Sequence, residues 1–522
     1  MKLTILSTSD THGYLLPTDY RDRQLDANFG LTKAATVINR EKAAATGPVL
    51  VIENGDFLQG SAFAYYQAKV AQQYTGMTSV YNSLPYQVGI VGNHEFNYGK
   101  DYLTNAIKSS TRHFLCANIL NDDGTPAFGD PYEIFELEGL KVAVLGLTTQ
   151  YIPHWESPEH LTGLHFTSAL AAAKKYVPEL RQQADIVVVA YHGGFERDIE
   201  GGKPTEALTG ENEGYQLLTE VPGIDALVTG HQHREIATVH QGIPTTQPGS
   251  KAAYVGKITL TLADDKSVLA ADAELLSTAA AASTEDLTPA LLADNENVED
   301  WLDQPLGTTE GDLTITDPFA VRLKPHPYIQ FVQDVQRAAT NTKISGTALF
   351  NNDGQGFGST ITFRSVLTNY IYPNTLAVVH LSGADLRAAL EQSANYFALT
   401  ADGEIGVNPK FERPKPQHYN YDMYAGIHYI IDVAQPQGQR ITELTYAGQP
   451  IQASDQLEVV VNQYRAVGGG NYQMFTADKI VREVTEDMTE IIADYLREHP
   501  VVKAETEQNF RVINSSSNSI VD

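Results

Sequence analysis

Cysteine is nearly absent. Cys116 is the only one in 522 residues, which excludes an intramolecular disulfide framework and a thiolate metal cluster. Long apolar runs are missing too. None approaches the roughly 18 residues of a membrane-spanning helix. Basic residues are scarce: 36 Lys and Arg stand against 64 Asp and Glu, a net charge of −28. A protein that grips long nucleic acid or an anionic membrane carries the opposite sign. An anionic substrate would need local cations, from bound metal or a few placed side chains. The amino terminus, MKLTILSTSDTHG, has one lysine, a short apolar run and no small-residue cleavage site. It does not read as a secretory leader, so a cytoplasmic protein is expected, with a secreted or cell-surface form left open.

What is present is ample for folding. Apolar residues make up 42%, enough to exclude disorder as the dominant state. The length suggests two to four domains. The first 260 residues alternate β-branched runs with helical stretches. Runs at Leu3–Leu6, Val49–Ile52, Val88–Val91, Val142–Leu147, Ile186–Ala190 and Ile224–Val228 suit strands buried between helices. Residues 168–183 read as helix, and 284–303 as exposed helix charged on its solvated face. Pro325 and Pro327 precede a run with helical spacing, so a helix starts there. We expect a metal-type α/β domain over 1–323, a linker helix over 324–341, and a second domain over 342–522. That second part is rich in tyrosine, from Tyr370 to Tyr472, and ends in a polar tail.

The strongest signal is positional. Five apolar runs each end in a short polar cluster: Asp10-Thr-His12, Gly55-Asp56, Gly92-Asn93-His94-Glu95, His192-Gly-Gly and Gly230-His231-Gln-His233. Ligands of open α/β sheets sit at the carboxyl ends of strands. A Gly-Asp alone is most often a turn, but five such clusters, each after its own strand, would converge on one point. Asp10, His12, Asp56, Asn93, His192, His231 and His233 make seven ligands, too many for one tetrahedral metal. They suit two metals sharing a carboxylate, with Asp56 as the natural bridge. The mix of O and N donors favours Mn²⁺, Fe or Zn²⁺ over Mg²⁺ or Ca²⁺. Two such metals clamp a phosphoryl group for in-line attack by a hydroxide between them. His94, next to a ligating Asn, is expected to protonate the leaving oxygen or stabilise the transition state.

These motifs, in this order, resemble the calcineurin-like metallophosphoesterases. GNHEFNYG (92–99), YIYPNTLAVVHLSGADLRAAL (370–390), NYDMYAGIHYIID (420–432) and NQYRAVGGGNY (462–472) extend the resemblance to the 5′-nucleotidase superfamily. They look most like its 2′,3′-cyclic-nucleotide 2′-phosphodiesterase/3′-nucleotidase branch. The resemblance implies a four-layer α/β/β/α metal domain, a linker helix and a C-terminal α/β domain that binds the nucleoside between two aromatic rings. The matching positions are Tyr421 and Tyr464, with Tyr424 competing for the first. Such stacking contributes about 1–3 kcal/mol and tolerates any base. Arg465 could contact the phosphate or ribose, or form a structural salt bridge.

Two departures matter. The Gly-rich segment NNDGQGFG (351–358) lacks the Arg or Lys found in other branches. Asn97 stands where many 5′-nucleotidases have an Asp; it orients His94 but brings it no charge, and it fits the cyclic-phosphodiesterase branch. The expected function is therefore hydrolysis of 2′,3′-cyclic nucleotides and 3′-nucleotides at two divalent metals. The rivals are a 5′-nucleotidase or broader nucleotide-sugar hydrolase, and a non-catalytic nucleotide-binding protein.

Overall fold

The computed structural model describes every residue except 74, 207, 285–287, 373, 414–415, 485, 487 and 517–522. The chain divides into two compact units, Met1–Glu299 and Asp300–Asp522. Among the described residues no helix is long and apolar enough to cross a membrane.

The first unit is built on two six-stranded sheets. One runs in the order Val268–Ser277, Tyr254–Leu262, Lys2–Thr8, Val49–Glu53, Val88–Ile90, His113–Leu115. Its last four strands are mutually parallel. The other runs Glu235–His240, Ile243–Pro248, Ala226–Val228, Ile186–His192, Leu140–Thr148, Tyr132–Leu137. Its four central strands are parallel. Leu3, Ile5, Leu50 and Ile52 of the first sheet pack on Val142, Val144, Ile186 and Val188 of the second. The residues between them in sequence, such as Ala143, Leu145, Val187 and Val189, face the other way. They meet Ala173 and Val177 of helix Ala169–Leu180 and Leu217 of helix Gly214–Glu220. Strands apolar on both faces are what a sheet covered on both sides requires. The helix Leu31–Ala44, with Leu31, Ala34 and Ile38 buried, packs on strand Tyr254–Leu262. The layers run helix, sheet, sheet, helix.

Two expectations change in detail. The helix expected over 284–303 spans Thr288–Leu302; residues 285–287 lie outside the described residues. It is not simply exposed: Leu291, Val298, Trp301 and Leu302 are buried. The helix expected as a linker spans Pro327–Thr340, with Pro327 in its first turn and the His326 ring capping the Tyr328 amide at 3.2 Å. It is no exposed connector. Tyr328, Ile329, Phe331, Val332 and Val335 belong to the core of the second unit, and the units divide at Glu299/Asp300, ahead of residue 323. Its apolar face has to be covered, and that unit's own sheet covers it.

That sheet has five strands in the order Asp422–Ala425, Ile344–Ala348, Gln456–Asn462, Leu376–Ser382, Ile480–Val484. A second, four-stranded sheet runs Gln449–Pro450, Ile441–Tyr446, His428–Asp432, Phe510–Ile513. The polar tail lies mostly in 517–522, outside the described residues.

Candidate metal centre

All five polar clusters leave the carboxyl ends of parallel strands in the first unit. Asp10–His12 follows Lys2–Thr8, Asp56 follows Val49–Glu53, and Asn93 follows Val88–Ile90; these three strands are neighbours. His192 ends Ile186–His192, and His231 with His233 follows its neighbour Ala226–Val228. The backbone bends sharply there. Asp10, His12, Asp56, His231 and His233 all have left-handed φ, between 50° and 68°. Residues other than glycine hold that conformation at a cost of about 1–3 kcal/mol each, and such strain concentrates at functional sites.

The side chains gather in two groups. Asp10, His12 and His233 form one; Asp56, His192 and His231 form the other. In the first, His12 Nε2 lies 2.9 Å from His233 Nε2, which is 3.4 Å from Asp10 Oδ1. In the second, His192 Nε2 lies 3.2 Å from Asp56 Oδ2. Asn93 joins this group, with Oδ1 at 3.2 Å from His192 Nε2 and 2.8 Å from His231 Nδ1.

Neighbouring acceptors fix which imidazole nitrogen faces inward. The carbonyl of Gln59 accepts His12 Nδ1–H at 3.0 Å, and the carbonyl of Asn54 accepts His192 Nδ1–H at 2.7 Å. Both rings therefore present Nε2. His231 is reversed: Nε2 meets the Glu211 carboxylate at 3.0 Å, and Nδ1 faces the group. Asp56 Oδ2 is buried and accepts no hydrogen bond. An unsatisfied buried carboxylate oxygen among inward-facing imidazoles fits a divalent cation. With six such groups and the Asn93 carbonyl, the residues fit two.

Electrostatics agree, with one exception. Burial alone would raise Asp10, but its hydrogen bond to His233 and the neighbouring imidazoles bring it down to about 2. Burial, with His233 beside it, pushes His12 down to about 3. For His192 burial acts downward, yet the Asp56 carboxylate prevails and lifts it to about 10. The two acids are held as carboxylates, as ligation requires, whereas His192 carries a proton that a bound cation would have to displace.

Two motif glycines are there because nothing larger fits. A Cβ on Gly92 would sit 2.2 Å from Asp56 Oδ1, and one on Gly230 would sit 2.1 Å from Ser9 Oγ and 2.8 Å from Asp10 Oδ2.

His94 stands beside the first group, its ring 5.2 Å from that of His12. Its backbone amide donates to Asp56 Oδ1 at 2.8 Å. Its Nδ1 meets Asn97 Oδ1 at 2.7 Å, which leaves Nε2 as the nitrogen for a substrate.

Three neighbours to which the sequence assigns no role support the site. Glu95 is fully buried and accepts amides from Asp56, Phe57, Leu58 and Gly92 at 2.6–3.1 Å. Burial pushes its carboxyl up to about 7, while four donors hold it in place. The sequence does carry a signal for it, since a Glu directly after such a cluster in a buried turn needs partners. Glu211 comes from a loop with no pattern to mark it. Trp155 stacks its ring on His231 at 5.3 Å.

The second unit corrects two expectations. Tyr421 has no exposed surface. It stacks on Tyr396 at 5.1 Å, and its hydroxyl donates to the Arg322 carbonyl. It is a core residue and offers no face to a base. Tyr424 is buried as well. Tyr464 is partly exposed, and the ring of Tyr419 meets it edge to face at 6.4 Å. Arg465 is 1% exposed. Its guanidinium is bidentate on Asp422, at 2.6 and 3.1 Å, bonds the carbonyls of Tyr419 and Gly469, and lies 3.7 Å over the Tyr472 ring. Four of its five N–H groups are spent inside the protein, so it forms the structural ion pair. The Gly-rich segment 351–358 does have a cation behind it: Arg322, from helix Pro318–Leu323, donates to Asn352 Oδ1 and to the carbonyls of Leu349 and Asn351.

Comparison with known proteins gives the same two parts. Residues 3–235 match the calcineurin-like phosphoesterases, and residues 305–477 match the 5′-nucleotidase C-terminal domain. The chain is 30% identical, over its whole length and 89% of the relative, to a 2′,3′-cyclic-nucleotide 2′-phosphodiesterase/3′-nucleotidase of Yersinia enterocolitica. It is 28% identical over 98% of its length to a trifunctional nucleotide phosphoesterase protein of Bacillus subtilis, of which it spans 39%. The crystal structure of a Staphylococcus aureus protein assigned as a 5′-nucleotidase, in complex with alpha-ketoglutarate, is 37% identical. It has a TM-score of 0.93 and covers 98% of this chain and 100% of that one.

Proposed function

This chain belongs to the calcineurin-like phosphoesterases that carry a 5′-nucleotidase C-terminal domain, and from that premise we propose that it hydrolyses nucleotide phosphoesters. It opens 2′,3′-cyclic nucleotides to 3′-nucleotides and then removes the 3′-phosphate. The observation that carries the chemistry is the pair of His and Asp groups at adjacent strand ends, with imidazoles already turned inward.

Asp10, His12 and His233 would hold one divalent cation, and Asn93, His192 and His231 the other; Asp56, with a buried oxygen that accepts no hydrogen bond, would serve both. Two such cations, when bound, polarise a phosphoryl group and make a water nucleophilic near neutral pH. The chain's own residues do the rest. Gln59 and Asn54 carbonyls hold His12 and His192 in the tautomer that ligates. Glu95 ties the Asp56 turn to the Gly92 turn. His94, held through Nδ1 by Asn97, gives the proton on Nε2 to the leaving oxygen. The net charge of −28 is tolerable because the cations set the local field. In the second unit the half-buried ring of Tyr464, with Tyr419 against it, is the platform for the base.

The relatives and Asn97 favour the cyclic and 3′ substrates. The resemblance to the Staphylococcus aureus protein favours 5′-nucleotides as the second reading. Initial rates on 2′,3′-cyclic AMP, 3′-AMP and 5′-AMP, after metal stripping and Mn²⁺ addition, separate them. Rates led by the cyclic and 3′ substrates are expected. Rates led by 5′-AMP would keep the site and overturn the substrate. His94→Gln should lower kcat by about 10²–10⁴.

A further inference from the structure

Asn97 raises a problem that the surrounding residues solve. An Asp at this position accepts from His94 whichever way it turns. An Asn does not, because its amide has an oxygen on one side and an N–H₂ on the other. Turned one way it accepts from His94 Nδ1. Turned the other way it aims N–H at Nδ1 and closes that nitrogen as a donor.

The amide has a second neighbour. Asn97 Nδ2 lies 2.8 Å from Glu156 Oε2. A carboxylate accepts only, so the N–H₂ must face Glu156 and the oxygen must face His94. Glu156 is itself held. Its side chain is 8% exposed. Its other oxygen, Oε1, accepts the Ser157 amide at 2.8 Å and meets His160 Nδ1 at 2.8 Å. The result is one continuous chain, His160, Glu156, Asn97, His94, anchored on the turn after Ile152–His154. Glu156 lies 59 residues from Asn97 in sequence, and no motif marks it.

We propose that Glu156 is a positioning residue for the hydrolysis: it turns the Asn97 amide so that Nδ1 of His94 always donates to Asn97 and Nε2 always faces the leaving oxygen. This rests on the reading of His94 given above. The proton on Nε2 passes to the oxygen that departs from phosphorus, and Nδ1 keeps its own. With the amide reversed, the ring could not hold a proton on both nitrogens, and the one on Nε2 could not be released. The pair thus orients His94 with two residues, the carboxylate set one side chain further out than an Asp at position 97 would place it.

A charge swap tests it. Asn97→Asp alone puts two carboxylates within hydrogen-bond distance of each other, so kcat should fall at least tenfold although an Asp is the better acceptor. Glu156→Gln alone makes the amide orientation ambiguous and should also lower kcat. The double variant N97D/E156Q rebuilds the chain. The new amide at position 156 donates to the new carboxylate at position 97, which still accepts from His94, so kcat should return to within about threefold of the original. If the losses of the single variants multiply in the double, the proposal is wrong. A second readout needs no turnover. In metal-free protein labelled with ¹⁵N-histidine, the His94 signals, identified by His94→Gln, should show Nδ1–H in the native chain and a mixture in Glu156→Ala. Identical signals in both would overturn the positioning role. Absence of turnover in the native protein on any nucleotide would instead fail the functional reading, and the imidazole signals would still decide this one.

Discussion

The carboxylate of Glu95 receives the backbone amide of Asp56 at 2.7 Å. A side chain from the turn that carries Asn93 and His94 thereby fixes the turn that carries a candidate bridging ligand. The same carboxylate takes three further amides. Glu95→Gln leaves only one accepting oxygen against four donors. Metal affinity should fall about 10–100-fold, as for other lost supports of ligands. Competition of Mn²⁺ against a chelator measures it. Unchanged affinity would mean that the two turns hold their shape without the clamp.

Tyr421 and Tyr464 should separate cleanly. Tyr421 is wholly buried, so Tyr421→Ala should cost about 3–5 kcal/mol of stability in the second unit. Tyr464→Ala should leave stability nearly unchanged and raise KM for nucleotides by about 5- to 100-fold, the loss of one stacked base. Turnover of bis(p-nitrophenyl) phosphate, which carries no base, is the control. A large stability loss in Tyr464→Ala would place that ring in the core as well.

Arg465 and Asp422 form a dry pair, 1% and 3% exposed in their side chains. Removing one member strands the other charge, at about 3–5 kcal/mol. Arg465→Met should therefore lower the unfolding midpoint sharply. The same loss in Asp422→Asn, with little further loss in the double variant, would show that the two act together. A change in KM with no change in stability would restore a substrate role to Arg465.

His418 gives the second unit a pH dependence of known sign. Its Nδ1–H donates to the Tyr396 hydroxyl at 2.7 Å, and Asn352 Nδ2 donates to its Nε2 at 3.0 Å. Burial, with the Arg322 charge adding to it, pushes it down to about 4. The unfolded chain takes up this proton near pH 6.5 and the folded one only near 4, so acid favours unfolding. Its contribution is intact above about pH 6.5 and is lost progressively down to pH 4. Discounted for screening by nearby solvent, it is on the order of 2 kcal/mol in all. Comparing His418→Gln with the native chain across this window isolates the effect. Parallel stability curves would contradict it.

Much of this is legible in the sequence. Each of the six apolar runs falls on a strand, because strands buried on both faces leave no polar interruption. The seven candidate ligands come from strand ends, and the structure brings all seven together. What fails are single residues judged without their partners. Tyr421 and Tyr464 look alike in sequence; the rings of Tyr396 and Phe397 packed against Tyr421 make that one core. Arg465 looks open to a phosphate because Asp422 is 43 residues away. Glu156 and Glu211 cannot be found, because each reaches its histidine or asparagine from a loop without periodicity or motif. The helix Pro327–Thr340 is legible as a helix but not in its role, since spacing gives an apolar face but not what covers it.

The most direct measurement is the initial rate on 2′,3′-cyclic AMP as Mn²⁺ is titrated into the metal-stripped chain. We expect no rate without metal, a rise with each addition, and a break at two equivalents per chain. A break at one equivalent, or a rate indifferent to metal, would contradict a two-metal site built from these seven residues.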